Sequence, residues 1–102
     1  MSIVQNKRYE NEFVRMMIDQ GYHCERVAGS GRGRASVCDC ILFKEGKVYL
    51  VEVKATSESE LRNRKETRDQ LDRMKQVAEK YGVECLLAVK YKGKGWELKL
   101  YV

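Results

Sequence analysis

Several features are scarce or missing in this 102-residue sequence, and most of these absences argue against a particular class of protein. No apolar run approaches the roughly 20 residues needed to span a bilayer. Residues 1–13 contain no apolar stretch long enough for a signal peptide, so we expect a cytoplasmic protein with no membrane association. The single histidine, His23, has no nucleophile–histidine–acid arrangement around it, and we interpret it as structural. The complete lack of proline excludes little.

The composition that is present describes one small globular domain. A hydrophobic fraction of 43% and a charged fraction of 34% indicate a single core with a heavily charged surface, and we predict one domain over residues 1–102. The net charge of +5 favours a polyanionic partner, although a merely solvated basic surface explains the charge equally well.

The four cysteines match a zinc-binding pattern poorly, because they comprise one C-x-C pair and two distant single residues. All lie in predicted strands, where a free thiol behaves as a small buried hydrophobe. We predict core thiols, while a disulfide remains an alternative for a hyperthermophilic source. The residues are Cys24, Cys38, Cys40 and Cys85.

Hydrophobic periodicity predicts the element order α-β-β-β-α-β-β, an α/β fold with one mixed central sheet flanked by helices. Helices are predicted at 4–20 and 66–81, and strands at 22–28, 37–43, 48–54, 84–90 and 96–102. The first helix is expected to turn Tyr9, Phe13, Val14 and Met17 inward, and the second Leu71, Met74, Val77, Ala78 and Tyr81.

A hairpin is predicted in the middle of the chain. Two short apolar runs flank Glu45 and Gly46, a dipeptide typical of a two-residue hairpin turn. If Lys44 pairs with Lys47 across this turn, the numbers of all paired residues sum to 91.

In this register Asp39 lies directly opposite Glu52, and Lys54 shares the face of Glu52 because side chains alternate along a strand. Two opposed like charges destabilise a hairpin unless something holds them. A divalent metal ion beside a catalytic lysine explains the arrangement, since Mg²⁺ prefers oxygen ligands. The alternative is a plain Glu52–Lys54 pair on a solvated strand, but the flanking LVEV run favours a buried central strand.

Two glutamates of the first helix are candidates for the same site. Glu10 falls in the middle of the apolar arc at 100° per residue, whereas Glu12 falls on the polar side near Arg8 and Arg15. A carboxylate on the inward face costs several kcal/mol of desolvation unless it is paired or bound to metal. Alternatively, Glu10 simply reaches solvent from the first turns of the helix.

Basic and polar residues near these positions are candidates for contacts with phosphates. The glycine-rich loop 29–35 carries Ser30, Arg32 and Arg34 beside backbone N–H groups that can wrap a phosphate. A second basic cluster comprises Arg62, Arg64, Lys65 and Arg68, although a solvated helix entry is an equal interpretation. Gln70 lies on the inward face of the second helix, where its amide either borders the core or bonds water in the site.

With Glu10, Asp39, E-V-K at 52–54 and Gln70 in this order, the sequence resembles the PD-(D/E)xK nuclease superfamily. Within it, the sequence is most similar to the archaeal Holliday junction resolvase family. The resemblance rests further on Gly21-Tyr22 after the first helix, on the segment 26–31 (RVAGSG), and on the segment 38–41 (CDCI). Cys38 stands where the family usually has proline before the aspartate.

The resemblance implies a restriction-endonuclease-like fold and a nuclease that cuts four-way DNA junctions as a homodimer, with paired symmetric nicks. It implies that Glu10, Asp39 and Glu52 are metal ligands and that Lys54 is the catalytic lysine, with Ser30 and Gln70 as active-site helpers. The expected metal is Mg²⁺, for which Mn²⁺ would substitute. The residues expected to contact DNA are Arg26, Ser30, Arg32, Arg34, Arg62, Arg64, Lys65 and Arg68.

Two other functions remain open at this point. A related restriction-type or repair nuclease would keep the fold and the metal but act on linear duplex. A non-catalytic nucleic-acid-binding module would make the acidic residues structural, which the complete set of Asp39, Glu52 and Lys54 disfavours.

Overall fold

The computed structural model describes residues 4–27, 37–56 and 65–102, together with their side chains except those of residues 4–6 and 65–67. The predicted loop 29–35 and the candidate residues Ser30, Arg32, Arg34, Arg62 and Arg64 lie outside the described residues. The elements are α1 (Val4–Asp19), β1 (His23–Arg26), β2 (Cys40–Lys44), β3 (Lys47–Thr56), α2 (Lys65–Tyr81), β4 (Glu84–Tyr91) and β5 (Gly95–Leu100). Neither helix is long and apolar enough to cross a membrane.

The five strands form one mixed sheet in the order β1-β2-β3-β4-β5. The pair β3–β4 is parallel and is connected through α2, while the other three pairs are antiparallel. β3 therefore lies in the centre of the sheet and is hydrogen-bonded on both sides. The predicted fold class, element order and buried central strand are all confirmed.

The β2–β3 hairpin has the predicted turn and register. Glu45 and Gly46 both have positive φ values, 51° and 83°, as a type I′ turn requires. The ladder pairs Lys44 with Lys47 and continues with the same register to the pair of Cys40 and Val51.

The helices cover opposite faces of the sheet. Phe13 of α1 is completely buried in a core with Val51 and Val53, whereas α2 packs on the other face in a core that Leu50 borders. Because side chains alternate along β3, Glu52 lies on the same face as Leu50, that is, on the α2 face.

Two further expectations about the core are confirmed and one is wrong. The four cysteines are buried free thiols, as predicted. The inward face of α1 is also confirmed, but the inward position of Tyr81 is wrong, because its side chain is 69% exposed. Tyr81 occupies the last position of α2, where the core ends, and the Lys80 ammonium lies 5.5 Å from its ring centroid.

Candidate active site

Asp39 lies one residue before β2, where hydrogen bonds hold it to β3 and to Val27, the residue that follows β1. Its carbonyl accepts a bond from the Val27 N–H, and its own N–H donates to the carbonyl of Val51, each at 2.8 Å. The hairpin register would pair Asp39 with Glu52. The Asp39 N–H instead bonds to the preceding residue of β3, Val51. Asp39 thus leaves the regular ladder, a departure of the kind that re-aims a side chain beside an active site.

The carboxylate of Asp39 is also oriented by the backbone, since its Oδ2 accepts a 2.8 Å hydrogen bond from the Val53 N–H. Burial raises the pKa of Asp39, while the Val53 N–H and the charge of Lys54 oppose that rise. The side chain therefore has a set direction and limited access to solvent.

Glu52 and Lys54 form an ion pair next to Asp39. The Lys54 Nζ lies 3.4 Å from the Glu52 Oε2, and the Glu52 side chain is only 9% exposed. Burial, followed by the negative charge of Asp39, raises the pKa of Glu52 to about 7 even though Lys54 lowers it. The pair is thus a buried one, and the interpretation as a solvated strand pair is wrong.

Glu10 of α1 joins this group. Glu10 is only 5% exposed, so the alternative in which its side chain reaches solvent is wrong. The Glu10 Oε1 lies 3.5 Å from a guanidinium nitrogen of Arg26, and the negative charge of Asp39 acts on the Glu10 carboxyl group. Burial and the charge of Asp39 raise the pKa of Glu10 to about 7, against the lowering effect of Arg26.

The three carboxyl groups thus form one electrostatic unit with an excess of acid. Asp39 raises the pKa of both glutamates, and the two cations that the described residues place nearby, Arg26 and Lys54, do not fully offset the three potential negative charges. The site is therefore an incompletely neutralised pocket of hard oxygen donors.

This donor set suits a hard divalent cation. Within the residues that the structure describes, no three His, Cys, Asp or Glu side chains are already gathered in an arrangement that could hold a metal ion. The oxygens nevertheless have the chemistry that Mg²⁺ selects. The residues fit such an ion, and the additional charge would relieve the repulsion that raises their pKa values.

The amide of Gln70 on α2 has an oxygen without a partner. Gln70 is half-buried on α2, which packs on the face of β3 that carries Glu52. Its Oε1 is the one buried side-chain oxygen without a hydrogen-bond partner in the described part of the chain. A buried acceptor left unpaired costs on the order of 1–3 kcal/mol, so a donor such as an ordered water is expected there.

The structure describes three of the residues that were predicted to contact DNA. Arg26 lies in the acidic site, with a side chain that is 27% exposed. Arg68 is exposed on α2, and Lys65 begins that helix. The structure therefore brings Arg26 together with Glu10, Asp39, Glu52 and Lys54.

One long-range contact was missed from the sequence. The Glu12 Oε2 accepts hydrogen bonds from the Lys90 Nζ at 3.0 Å and from the Trp96 Nε1 at 3.2 Å, and the first of these chiefly lowers the pKa of Glu12. This contact ties α1 to β4 and β5. From the sequence, a position on the polar side of α1 predicts only that Glu12 is exposed, and the partners Lys90 and Trp96 lie too far along the chain for a local pattern to indicate them.

Comparison with known proteins identifies the family. No curated protein matches the sequence. The structure of Archaeoglobus fulgidus Hjc, described as a Holliday junction resolvase from an archaeal hyperthermophile, matches with a TM-score of 0.70 at 19% identity, over 94% of this chain and 72% of that one. At this identity the likeness establishes the fold. The family described as archaeal Holliday junction resolvase (Hjc) matches residues 1–101. The chain therefore belongs to the archaeal Holliday junction resolvase family and is an endonuclease that acts on DNA.

Proposed function

We propose that residues 1–102 form one nuclease domain that resolves four-way DNA junctions by magnesium-dependent phosphodiester hydrolysis. Glu10, Asp39 and Glu52 are the metal ligands in this proposal. The observation that carries it is the cluster of buried Glu10, buried Glu52 and half-buried Asp39, whose carboxyl groups are opposed, among the described residues, by the two cations Arg26 and Lys54. Family membership supports metal dependence in general, and the all-oxygen donor set favours Mg²⁺, with Mn²⁺ as a substitute.

The bound metal ion would supply positive charge that activates a water molecule and stabilises the scissile phosphate. The chain's own residues perform the other tasks. Asp39 is held in one direction by the Val53 N–H, so it requires little reorganisation on binding. Lys54, whose ammonium lies beside Glu52, orients the attacking water or stabilises negative charge that develops on the phosphate.

Two further side chains assist in this proposal. Gln70 has a buried oxygen available to accept a hydrogen bond from a water molecule in the site. Ser30 is assigned a similar supporting role on the basis of the family pattern. Arg26 neutralises Glu10, and its remaining guanidinium donors are available for a DNA phosphate.

Junction DNA is bound mainly through phosphates and shape. The net charge of +5 supports this mode. The residues proposed to contact the backbone are Arg26, Ser30, Arg32, Arg34, Arg62, Arg64, Lys65 and Arg68.

A homodimer is proposed because resolution of a junction requires two matched cuts. One active site per subunit, related by a two-fold axis, supplies a pair of symmetric nicks. The dimer would bind one four-way junction with its two sites on opposed strands.

A synthetic mobile junction tests the proposal directly. Purified protein should introduce paired, symmetric nicks with magnesium or manganese and none with EDTA. The same arms annealed as linear duplex should compete weakly for binding. Cleavage that persists in EDTA would overturn the metal assignment, and equal affinity for junction and duplex would overturn the junction selectivity.

A further inference from the structure

β5 presents apolar side chains at one edge of the sheet. Leu98 is 38% exposed and Leu100 is 58% exposed, and both share the face on which Trp96 packs against Phe13. No other strand of the described residues pairs with the outer edge of β5. An edge strand with exposed apolar residues is a template for pairing with another strand.

The hydrogen-bonding groups of this edge can be assigned from the ladder. The Tyr101 N–H donates to the Cys85 carbonyl at 3.0 Å, which continues the register of the β4–β5 pair. In an antiparallel ladder every second residue bonds to a given neighbour, so Glu97 and Lys99 also direct their backbone groups toward β4. Trp96, Leu98 and Leu100 consequently direct theirs outward.

Among the registers with a two-fold axis at residues 97–99, near the middle of β5, the outward groups and the charges together select one. Hydrogen bonding requires the even-numbered residues of one copy to face those of the other. With Leu98 opposite the partner's Leu98, Glu97 faces the partner's Lys99, and Lys99 faces the partner's Glu97. If the two-fold axis lay at Glu97 or at Lys99 instead, that residue would lie opposite the same residue of the partner. Two like charges would then be opposed, which is destabilising.

We propose that two copies of this chain associate through antiparallel pairing of β5, with the two-fold axis at Leu98, to form one continuous ten-stranded sheet. This deepens the homodimer of the proposed function and rests on it. Trp96 then lies opposite the partner's Leu100, and the exposed apolar side chains of both strands contact one another laterally.

This arrangement places both active sites suitably for two cuts in one substrate. The two-fold axis of an antiparallel strand pair is perpendicular to the sheet, so the Glu52 and Lys54 side chains of both subunits lie on the same face. Glu52 is aligned with Leu87 and Lys99 across the sheet. Five strand-to-strand steps therefore separate the two β3 strands, roughly 24 Å at about 4.8 Å per step.

Charge reversal at the paired positions tests the interface. Glu97→Lys places two lysines against the partner's two lysines, and Lys99→Glu places four glutamates together. We expect each single variant to weaken dimerisation at least tenfold in DNA-free sedimentation equilibrium, with an unchanged far-ultraviolet circular dichroism spectrum. An equimolar mixture of the two variants, and also the double variant, should restore the dimer. Lys92→Glu, which makes the same charge change as Lys99→Glu but at the exposed β4–β5 turn, should not weaken the dimer.

A cross-link gives an independent measurement. Leu98→Cys should form a disulfide-linked dimer on oxidation, whereas the wild type, whose four cysteines are buried, and Lys92→Cys should not. A wild-type dimer that both charge reversals leave unchanged would overturn the β5 interface and leave the homodimer intact. A monomeric wild type, with and without junction DNA, would overturn the interface and the homodimer together. Magnesium-dependent nicking measured on the same samples reports separately on the catalytic assignment.

Discussion

The backbone N–H of Val53 donates a 2.8 Å hydrogen bond to the carboxylate of Asp39. This bond links Asp39, the first residue of the hairpin motif, to the strand that carries the other two residues of that motif, Glu52 and Lys54. Since the donor belongs to the rigid central strand, the direction of the Asp39 carboxylate is set before any ligand binds. Preorganisation of this kind lowers the reorganisation needed for catalysis.

Asp39→Asn should separate catalysis from folding. The asparagine oxygen can still accept the Val53 hydrogen bond, but the side chain no longer carries a negative charge for a metal ion. We expect junction cleavage in magnesium to fall by roughly 100-fold or more, with junction affinity changed only a few-fold. Gel assays of cleavage and binding measure both quantities. Glu25→Gln, at an exposed position of β1, is the matched control, and near wild-type cleavage by Asp39→Asn would refute the site.

Lys54→Met should reduce the cleavage rate and also change its pH dependence. Removal of the ammonium that lowers the pKa of Glu52 should raise that pKa further above 7. Single-turnover rates measured from pH 6 to 9 should therefore show an alkaline shift of the acidic limb as well as a lower plateau. Lys44→Met, which removes a half-buried lysine at the other end of the hairpin, should leave the profile unchanged. A lower plateau without any shift would contradict the coupling to Glu52.

The metal-free protein should lose stability as the pH rises. Glu10 and Glu52 have pKa values of about 7 in the folded protein, above their ordinary value of 4.5, so the folded state binds these protons more tightly than the unfolded state. Their destabilising contribution is therefore absent below pH 4.5, grows between 4.5 and 7, and is complete above 7.

Urea unfolding in EDTA at pH 5.5 and 8 measures this effect against Glu52→Gln. The variant should lose less stability than the wild type over that interval. At pH 8 its free energy of unfolding should exceed that of the wild type by about 1 kcal/mol or more. Magnesium should stabilise the wild type more at pH 8 than at pH 5.5. A parallel decline of both proteins would show that Glu52 does not carry the effect.

Glu12 should stabilise the fold through Lys90. The two side chains are 3.0 Å apart and join α1 to β4, while Trp96 adds a second bond to the same carboxylate oxygen. Because the pair is partly exposed, we expect a coupling free energy of about 0.5–1 kcal/mol between Glu12→Gln and Lys90→Met in a double-mutant cycle of urea unfolding. Strict additivity of the two substitutions would contradict the contact.

Junction affinity should fall steeply with salt. Binding through phosphates releases counterions, so the logarithm of the association constant should decrease linearly with the logarithm of the salt concentration. Arg68 is exposed on α2 and is proposed to bind a DNA phosphate. Arg68→Gln should therefore reduce the magnitude of this slope by about one, the amount expected for the loss of one phosphate contact. An unchanged slope would remove Arg68 from the DNA-binding surface.

The sequence by itself determined the order of elements, the hairpin register and the set of acidic residues. These features depend on local rules: the Glu45-Gly46 turn sets which residues pair, and strand alternation places Glu52 and Lys54 on one face. Helical periodicity likewise predicted that Glu10 would be buried, which its 5% exposure confirms.

Only the tertiary structure decided how these groups meet. The departure of Asp39 from the ladder, the Arg26–Glu10 pair and the Glu12–Lys90 contact each join segments from different elements, and the last spans 78 positions of the chain. Tyr81 shows the same limit, since periodicity gives the direction of a side chain but not whether the core extends beneath it. Periodicity describes one element at a time, whereas pKa values near 7 in the acidic site arise from burial and charges contributed by several elements packed together.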